Sequence, residues 1–591
     1  MDNQNFKNMA LAGVLSVLIL LGWNWGMAYF YPNAHKAAPP AASAPAAAPA
    51  PAAGGAVPAA VQVAPVKDVK TALGAAPRVP IAAPGLSGSI NLQGGVVDDL
   101  TTNRHTAALD KAQGQERIFA PAGTPHQHYA QFGWSMGDGA PAIALPGAQT
   151  VWTAPAGAKL TPQTPVTLTW NNGAGQTFAL TYAIDADYML TITQQVSNTG
   201  AAPIAVKPIA QLSRAKPAAD DHEAYDTFNV HSGPFGAFDG TVNFDNDYDD
   251  VAETKQVANK GKTDWVGFTD IYWMSTLIPE KTAASSDFRA MDKGVFLANL
   301  FYPQVSVAPG QQSTQATRLF AGAKESSVLD RYAASGITNF DLAIDWGWFR
   351  WFERPLFGLL KWLFGAVGNF GVAIMLLTLI VRGVMFPIAQ KQFASMAAMK
   401  AIQPKMKAIQ DRYKDDKQKQ QEEIMALYKK EGVNPLAGCL PIFLQIPVFF
   451  ALYKVLILSV EMRHQPFALW IKDLSAPDPL HFLNLFGYLN FTPPAFLAIG
   501  ILALLLGITM WLQFKLNPAQ MDPAQQQIFA IMPWMMMFIM APFAAGLLLY
   551  WITSNVLTIA QQAYLYSKHP QLRAQAEKDT VDQERVKARS K

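Results

Sequence analysis

The sequence predicts a polytopic α-helical membrane protein of six spans with a cytoplasmic helical hairpin, joined to a large β-sandwich on the outer side. Three observations predict it. Half of the 591 residues are hydrophobic and only 15% are charged, which is too apolar and too long for one soluble domain. Apolar runs near the roughly 20 residues that cross a bilayer recur from residue 370 onward. Between residues 86 and 340 the pattern instead becomes short alternating runs punctuated by Gly, Asn, Asp and Pro.

Residues 1–31 contain the first apolar segment, 9–31, closed by an aromatic belt of Trp23, Trp25, Tyr29 and Tyr31. Its apolar core is longer than the usual signal-peptide core, so it reads as an uncleaved transmembrane signal anchor. A cleaved signal peptide is the alternative, since A-x-A sites follow near Ala41–Ala44. Residues 32–85 are Ala/Pro-rich with few charges, a composition that favours extended conformations over a packed core, and read as a linker.

Residues 86–340 read as the β-rich domain. The stretch Thr177–Val196 alternates apolar and polar residues as half-buried strands do, and turn signals such as Asn171-Asn172-Gly173, Asn198-Thr199-Gly200 and Ala308-Pro309-Gly310 recur. The acidic run Asp245–Asp250 lacks the Gly and terminal Glu of a calcium loop and reads as a solvated loop. Residues 341–365 are aromatic and amphipathic, with Arg350, Arg354 and Lys361 interleaved, and read as a helix lying on the membrane interface. The alternative is the start of a long transmembrane helix.

Residues 366–565 hold five spans. The first is 370–389, and the others are roughly Leu436–Val460, Ala495–Phe514, Ile528–Ala541 and Phe543–Gln561, the last two split at Ala541-Pro542-Phe543. Arg382 lies inside the first. A charge near mid-bilayer costs about 2.5–3.5 kcal/mol on insertion scales, and the apolar segments carry no Asp or Glu to pair with it. A wet, cationic cavity accommodates such a charge; snorkelling of its long stem to the interface is the other reading.

Charge distribution orients the chain. Residues 31–350 carry 21 Lys/Arg against 27 Asp/Glu, whereas 388–435 carry 10 against 6 and the tail 565–591 carries 7 against 4. The basic loop and tail belong in the cytoplasm, with both termini, and the acidic domain belongs outside, in a bacterial periplasm. In the loop 388–435, Met396, Met399, Ile402, Met406, Ile409 and Tyr413 share one helix face. A second helix, capped by Asp415 or Asp416, runs to Lys430 and carries Ile424, Met425, Leu427 and Tyr428. The methionines either seal this hairpin or receive variable apolar partners. Cys439 is the only cysteine, so no internal disulfide forms, and no hydrolase elbow, P-loop or zinc motif is present. No cofactor, metal or catalytic group is expected.

Several long motifs occur together: LIVRGVMFPIAQKQFASMAAMKAIQPKMKAIQDRY (379–413), ALYKKEGVNPLAGCLPIFLQIPVFFALYKVL (426–456), EMRHQPFALW (461–470), DLSAPDP (473–479) and GLLLYWITSNVLTIAQQ (546–562). GSINLQGGVVDDL (88–100), YAQFGW (129–134) and GFTDIYWMSTLIP (267–279) precede them. By these the sequence resembles the YidC/Oxa family of membrane protein insertases, in its six-span Gram-negative form. The resemblance implies a five-helix insertase core around a hydrophilic groove open to cytoplasm and lipid, below a periplasmic β-supersandwich. It implies Arg382 in that groove with Thr378, Gln445, Tyr550, Trp551 and Asn555, and a substrate-receiving hairpin carrying Met396, Met399, Met406 and Met425. One contact on the last span is usually tyrosine in the family; here Trp551 follows Tyr550, so the two compete for that role. Lys454 also departs from the family and reads as snorkelling outward. The implied partners are nascent membrane proteins, the Sec translocon and its accessory subunits, the ribosome through the basic hairpin and tail 566–591, and the bilayer. The implied site is the bacterial inner membrane.

An anion transporter or channel built around Arg382 is the main rival; the internal repeats and interrupted helices usual in transporters are not evident. A membrane-anchored carbohydrate enzyme is the second, and it requires convergent carboxylates or histidines within 86–340.

Overall fold

A computed structural model describes residues 68–139, 142–217, 230–280, 284–414, 416–432, 440–485, 488–489, 498–516 and 523–568. The apolar segment 9–31, the linker as far as residue 67, Asp415, Cys439 and the tail beyond 568 lie outside the described residues.

The N-terminal half is two large, mostly antiparallel sheets of ten and eight strands. The expected alternation over 177–196 is two paired strands, Gln176–Ile184 and Met189–Asn198. The first buries every second residue. The Asp185 carboxylate closes their turn by accepting from the backbone N–H groups of Asp187 and Met189. The longest strand, Gln311–Ala323, pairs with Met189–Asn198 on one side and Trp273–Pro279 on the other. In the other sheet Ile204–Ala215 lies between His128–Met136 and Val295–Phe301. Inward-facing Trp134, Phe178, Tyr182, Trp265 and Phe320 fill the space between the sheets at 2% exposure or less. Three short helices decorate this domain: α1 (Val69–Leu73), α2 (Tyr248–Thr254) and α3 (Ser326–Ala334).

Two expectations are corrected here. The strand Arg78–Ala82 lies inside the segment read as linker; it buries Val79 and Ile81 and pairs with Leu86–Asn91. It is an edge strand, which tolerates the Pro80 that disguised it. The acidic run is largely exposed, as expected, but only its first part is loop and its end enters a helix. Asp247 caps α2 by accepting from the N–H groups of Asp249 and Asp250, and Asp250 returns the bond, so these carboxylates sit at the positive end of a helix dipole.

The C-terminal half is helical. Residues 340–349 form two 3₁₀ turns, and α4 follows as Arg350–Val367. It buries Glu353, Leu356, Phe357, Leu360 and Leu363, and exposes Trp351 and Trp362. Gly368, at φ 70°, ends it, and the side chain of Asn369 caps α5. Helix α5, Phe370–Arg412, runs 43 residues, about 65 Å at 1.5 Å each, with Gly383, Pro387 and Pro404 along it. The first arm of the expected hairpin is thus the continuation of the span rather than a separate short helix. Asp416 caps the second arm, α6 (Lys417–Glu431), and Gly432 at φ 65° ends it. Then come α7 (Leu440–Leu458), α8 (Ile501–Leu516), α9 (Pro523–Met540) and α10 (Ala545–Lys568).

Among the described residues one stretch, Phe370–Lys391, is both long and apolar enough to cross a membrane. Gln445–Leu458, Ile501–Lys515 and Ala530–Met540 are shorter apolar helices. Parts of the segments read as spans at 436–460 and 495–514 fall outside the described residues.

The two halves are joined by polar contacts. The Arg463 guanidinium, 3% exposed, donates to the carbonyls of Thr106 (2.6 Å) and Ala107 (3.1 Å), pairs with Glu116 and lies over the Trp273 ring at 5.3 Å. Lys454 does not snorkel freely. Its ammonium donates to the Asp345 carbonyl at 2.8 Å and stands 3.9 Å from the Asp345 carboxylate.

Candidate functional site

Helix α5 places Arg382 thirteen residues in, facing α10. Both Nε (3.0 Å) and one terminal nitrogen of its guanidinium donate to the Ser554 hydroxyl. No Asp or Glu lies within ion-pair distance of Arg382 among the described residues. Ser554 is 2% exposed, and the hydroxyl of Thr558 donates to its carbonyl. Tyr550 lies one turn earlier on the same face of α10, near enough to interact electrostatically with the guanidinium. The Gln445 amide of α7 donates to the Tyr550 hydroxyl. Three helices that are remote in sequence thus bring Arg382, Ser554, Tyr550 and Gln445 together.

The other expected groove residues point elsewhere. Thr378 is buried, and its hydroxyl donates to the Ile374 carbonyl at 2.7 Å, a bond within its own helix. Asn555 is buried and donates to Thr509 of α8 at 3.1 Å, so it ties α10 to α8. Trp551 packs edge-on against Phe449 at 5.3 Å. Of the two competing aromatics, Tyr550 therefore faces the Arg382 cluster. Ser554 was absent from the expected set, since a serine in an apolar helix gives no signal of its own. On α7, α8 and α10 the side-chain oxygens of Gln445, Gln513 and Gln562 are buried without a hydrogen-bond partner among the described residues. Each costs on the order of 1–3 kcal/mol if it stays unpaired.

In the hairpin, Ile402 and Leu427 are buried against each other, with Met406, Ile409 and Tyr428 packed beside them. The Tyr428 hydroxyl donates to the Met406 sulfur at 3.1 Å. Met406 therefore seals the hairpin, whereas Met425 is 51% exposed. The side chains of Met396 and Met399 lie outside the described residues.

The β-domain has a cavity of about 320 Å³ lined by Glu116, His126, His128, Arg214, Asp270 and Trp273, among others. Its buried charges answer one another. Arg214 pairs with Asp270 at 2.6 Å, Ser232 also donates to Asp270, and His128 is 2.8 Å from the Ser275 hydroxyl. Burial, with the charge of Arg214, holds His128 well below its usual range, so it stays neutral. Lys324, buried beside Thr269 and the Asp270 carbonyl, is pushed down to about 8 by burial. These groups tie the two sheets together. Among the described residues no group of three or more His, Cys, Asp or Glu is placed to hold a metal ion.

Residues 362–572 match the family described as 60Kd inner membrane protein, and residues 78–359 match the YidC periplasmic domain. A protein of Zymomonas mobilis named membrane protein insertase YidC is 43% identical over 573 residues, covering 96% of each chain. One of the same name from Ruegeria pomeroyi is 43% identical over 600 residues, again covering 96% of each. Among solved structures, an active YidC insertase with its first transmembrane domain resolved is similar at a TM-score of 0.36 and 19% identity, covering 83% of this chain and 92% of that one. A galactose mutarotase related enzyme from Lactobacillus acidophilus is similar at 0.29 and 8% identity, over 42% of this chain and 97% of that one.

Proposed function

This chain belongs to the YidC family of inner-membrane protein insertases, a non-enzymatic family with a β-rich periplasmic domain and a helical C-terminal region, and on that footing we propose that it moves polar segments of nascent membrane proteins outward through a hydrophilic groove around Arg382. The observation that carries this reading is the uncompensated charge of Arg382. Its guanidinium rests on a neutral hydroxyl within an apolar helix, with no carboxylate in reach among the described residues. A buried cation without a resident counter-ion favours a visiting anion. The unpaired oxygens of Gln445, Gln513 and Gln562 add acceptors for water or a passing backbone.

The physical task is to carry unsatisfied backbone and charged groups past hydrocarbon, at several kcal/mol per group. A polar groove shortens the hydrocarbon path, and the substrate's apolar span then partitions sideways into lipid. The membrane potential, about 2.3 kcal/mol per charge per 100 mV, pulls acidic tails outward, the direction in which Arg382 invites them. In this reading the chain has six spans with both termini cytoplasmic. Residues 1–31 anchor it, a linker follows, the periplasmic β-supersandwich begins at the strand Arg78–Ala82 and runs to about residue 340, 341–365 lie at the interface and 366–565 form the five-helix core. The hairpin 388–435 receives nascent chains, with Met396, Met399 and Met425 as the contacts and Met406 packing its two arms together. Its basic surface and the tail 566–591 approach ribosomal RNA, and the outer domain meets the Sec translocon. Gln445 and Tyr550 line the groove beside Arg382, while Thr378, Trp551 and Asn555 hold the helices that form it.

Purified protein in liposomes, offered a two-span substrate with an acidic translocated region, tests the reading by protease protection. Protection is expected to need the protein and to fall in Arg382→Ala; Arg382→Lys keeps the charge without the planar fork, and retains most of the protection only where charge alone attracts the tail. Full protection with Arg382→Ala would remove Arg382 from the mechanism. Uptake of a small anion into the same liposomes would favour a channel instead.

A further inference from the structure

We infer that Ser554 is the residue that positions Arg382, and that it does so by occupying one edge of the guanidinium so that the other edge receives a carboxylate of the passing segment. A guanidinium carries five N–H donors in a planar fork and offers two side-by-side edges to a carboxylate, one formed by Nε and a terminal nitrogen and one formed by the two terminal nitrogens. In this chain the Ser554 hydroxyl accepts from Nε at 3.0 Å and from one terminal nitrogen, which uses up the first edge. The second edge, with the remaining N–H groups, is left for a bidentate acid.

The surroundings fix this choice. Ser554 is buried, so the hydroxyl does not swing out to solvent. The Thr558 hydroxyl bonds the Ser554 carbonyl, and the Gln561 amide reaches back to the Arg382 carbonyl at 3.4 Å, so α10 grips both ends of the contact. Tyr550, one turn away and already engaged by Gln445, flanks the guanidinium on the same helix face. The ligand class that fits is an Asp or Glu side chain presented in an extended segment. A neutral polar segment gains nothing from the aim of the fork.

This inference rests on the groove reading of Arg382, and the experiment separates the two. The liposome assay is run with an acidic-tail and a neutral-tail version of one substrate, using wild type, Ser554→Ala, Ser554→Thr, Arg382→Ala and the Ser554→Ala/Arg382→Ala double variant. Ser554→Ala should lower insertion of the acidic-tail substrate roughly three- to tenfold, the worth of one or two net hydrogen bonds. The loss on the neutral-tail substrate should be clearly smaller, and Ser554→Thr, which keeps the oxygen, should restore activity. In the Arg382→Ala background the serine change should add nothing. Wild-type insertion by Ser554→Ala alongside a defective Arg382→Ala would overturn the positioning role. Equal loss on both substrates, or further loss in the double variant, would make Ser554 a packing residue only. An Arg382→Ala protein with full acidic-tail insertion would overturn the groove reading itself.

Discussion

The ammonium of Lys454 and the carbonyl of Asp345 meet at 2.8 Å across 109 residues of chain, tying the C-terminal part of α7 to the turn that precedes α4. The contact is crowded. Gly347 lies so close that a Cβ there would stand 3.2 Å from the Lys454 nitrogen. The buried Glu353 carboxyl interacts electrostatically with both Lys454 and Asp345.

Removing the cation should therefore cost more than a surface charge would. Lys454→Met leaves Asp345 and Glu353 facing each other without their shared counter-ion, and should destabilise the protein by about 1–3 kcal/mol. Thermal unfolding in detergent measures it. Adding Glu353→Gln should recover part of the loss, because the repulsion then disappears; additive effects would show that the three groups are not coupled.

Glu353 also predicts a pH dependence. Burial raises its carboxyl from the ordinary 4.5 to about 7, against the pull of Lys454 and with the push of Asp345. Between these values the folded protein keeps a proton that the unfolded chain has released, so this group's contribution to stability is lost as pH rises from about 4.5 through 7. Glu353→Gln should flatten that decline, with a melting temperature a few degrees above wild type at pH 8 and nearly equal at pH 4.5. A parallel shift at both pH values would rule out titration of Glu353 as the cause.

Arg463 should tolerate neither Ala nor Lys. Its fork serves two backbone carbonyls, Glu116 and the face of Trp273 at once, which an ammonium cannot reproduce. Either change should cost about 3 kcal/mol at the contact between the β-domain and the helices. Limited proteolysis should then separate the two halves at protease concentrations that leave wild type intact.

Asp416 accepts from the Lys419 N–H at 3.0 Å and starts the second arm of the hairpin. Asp416→Ala should cost about 1 kcal/mol of local helix stability. Hydrogen exchange should show faster opening in 417–431 and unchanged protection in the β-domain.

Legibility in the sequence followed how much of each feature was local. The paired strands over 176–198 and the caps of α6 were readable because alternation, an Asp and a Gly each act within a few residues. Arg382 stood out because a charge in an apolar run needs an explanation. Ser554 did not, because its role is created by packing against a residue 172 positions away. The strand Arg78–Ala82 was hidden by Pro80 and alanines that resemble the linker before it; its two buried residues give too short a pattern to stand alone. Lys454 was visible as an oddity but its destination was not, since the Asp345 carbonyl that receives it is a backbone group with no signature.

Helix α5 is continuous from Phe370 to Arg412, yet its hydrogen-bond ladder is not. Pro387 has no N–H to offer the carbonyl of Gly383, and Gly383, with open space around it, adds no side chain to stiffen that turn. The missing rung begins one residue past Arg382. Pro404 leaves a second such gap nearer the hairpin. The helix is mechanically a set of levers meeting at compliant joints, not one rod, and one of those joints lies beside Arg382.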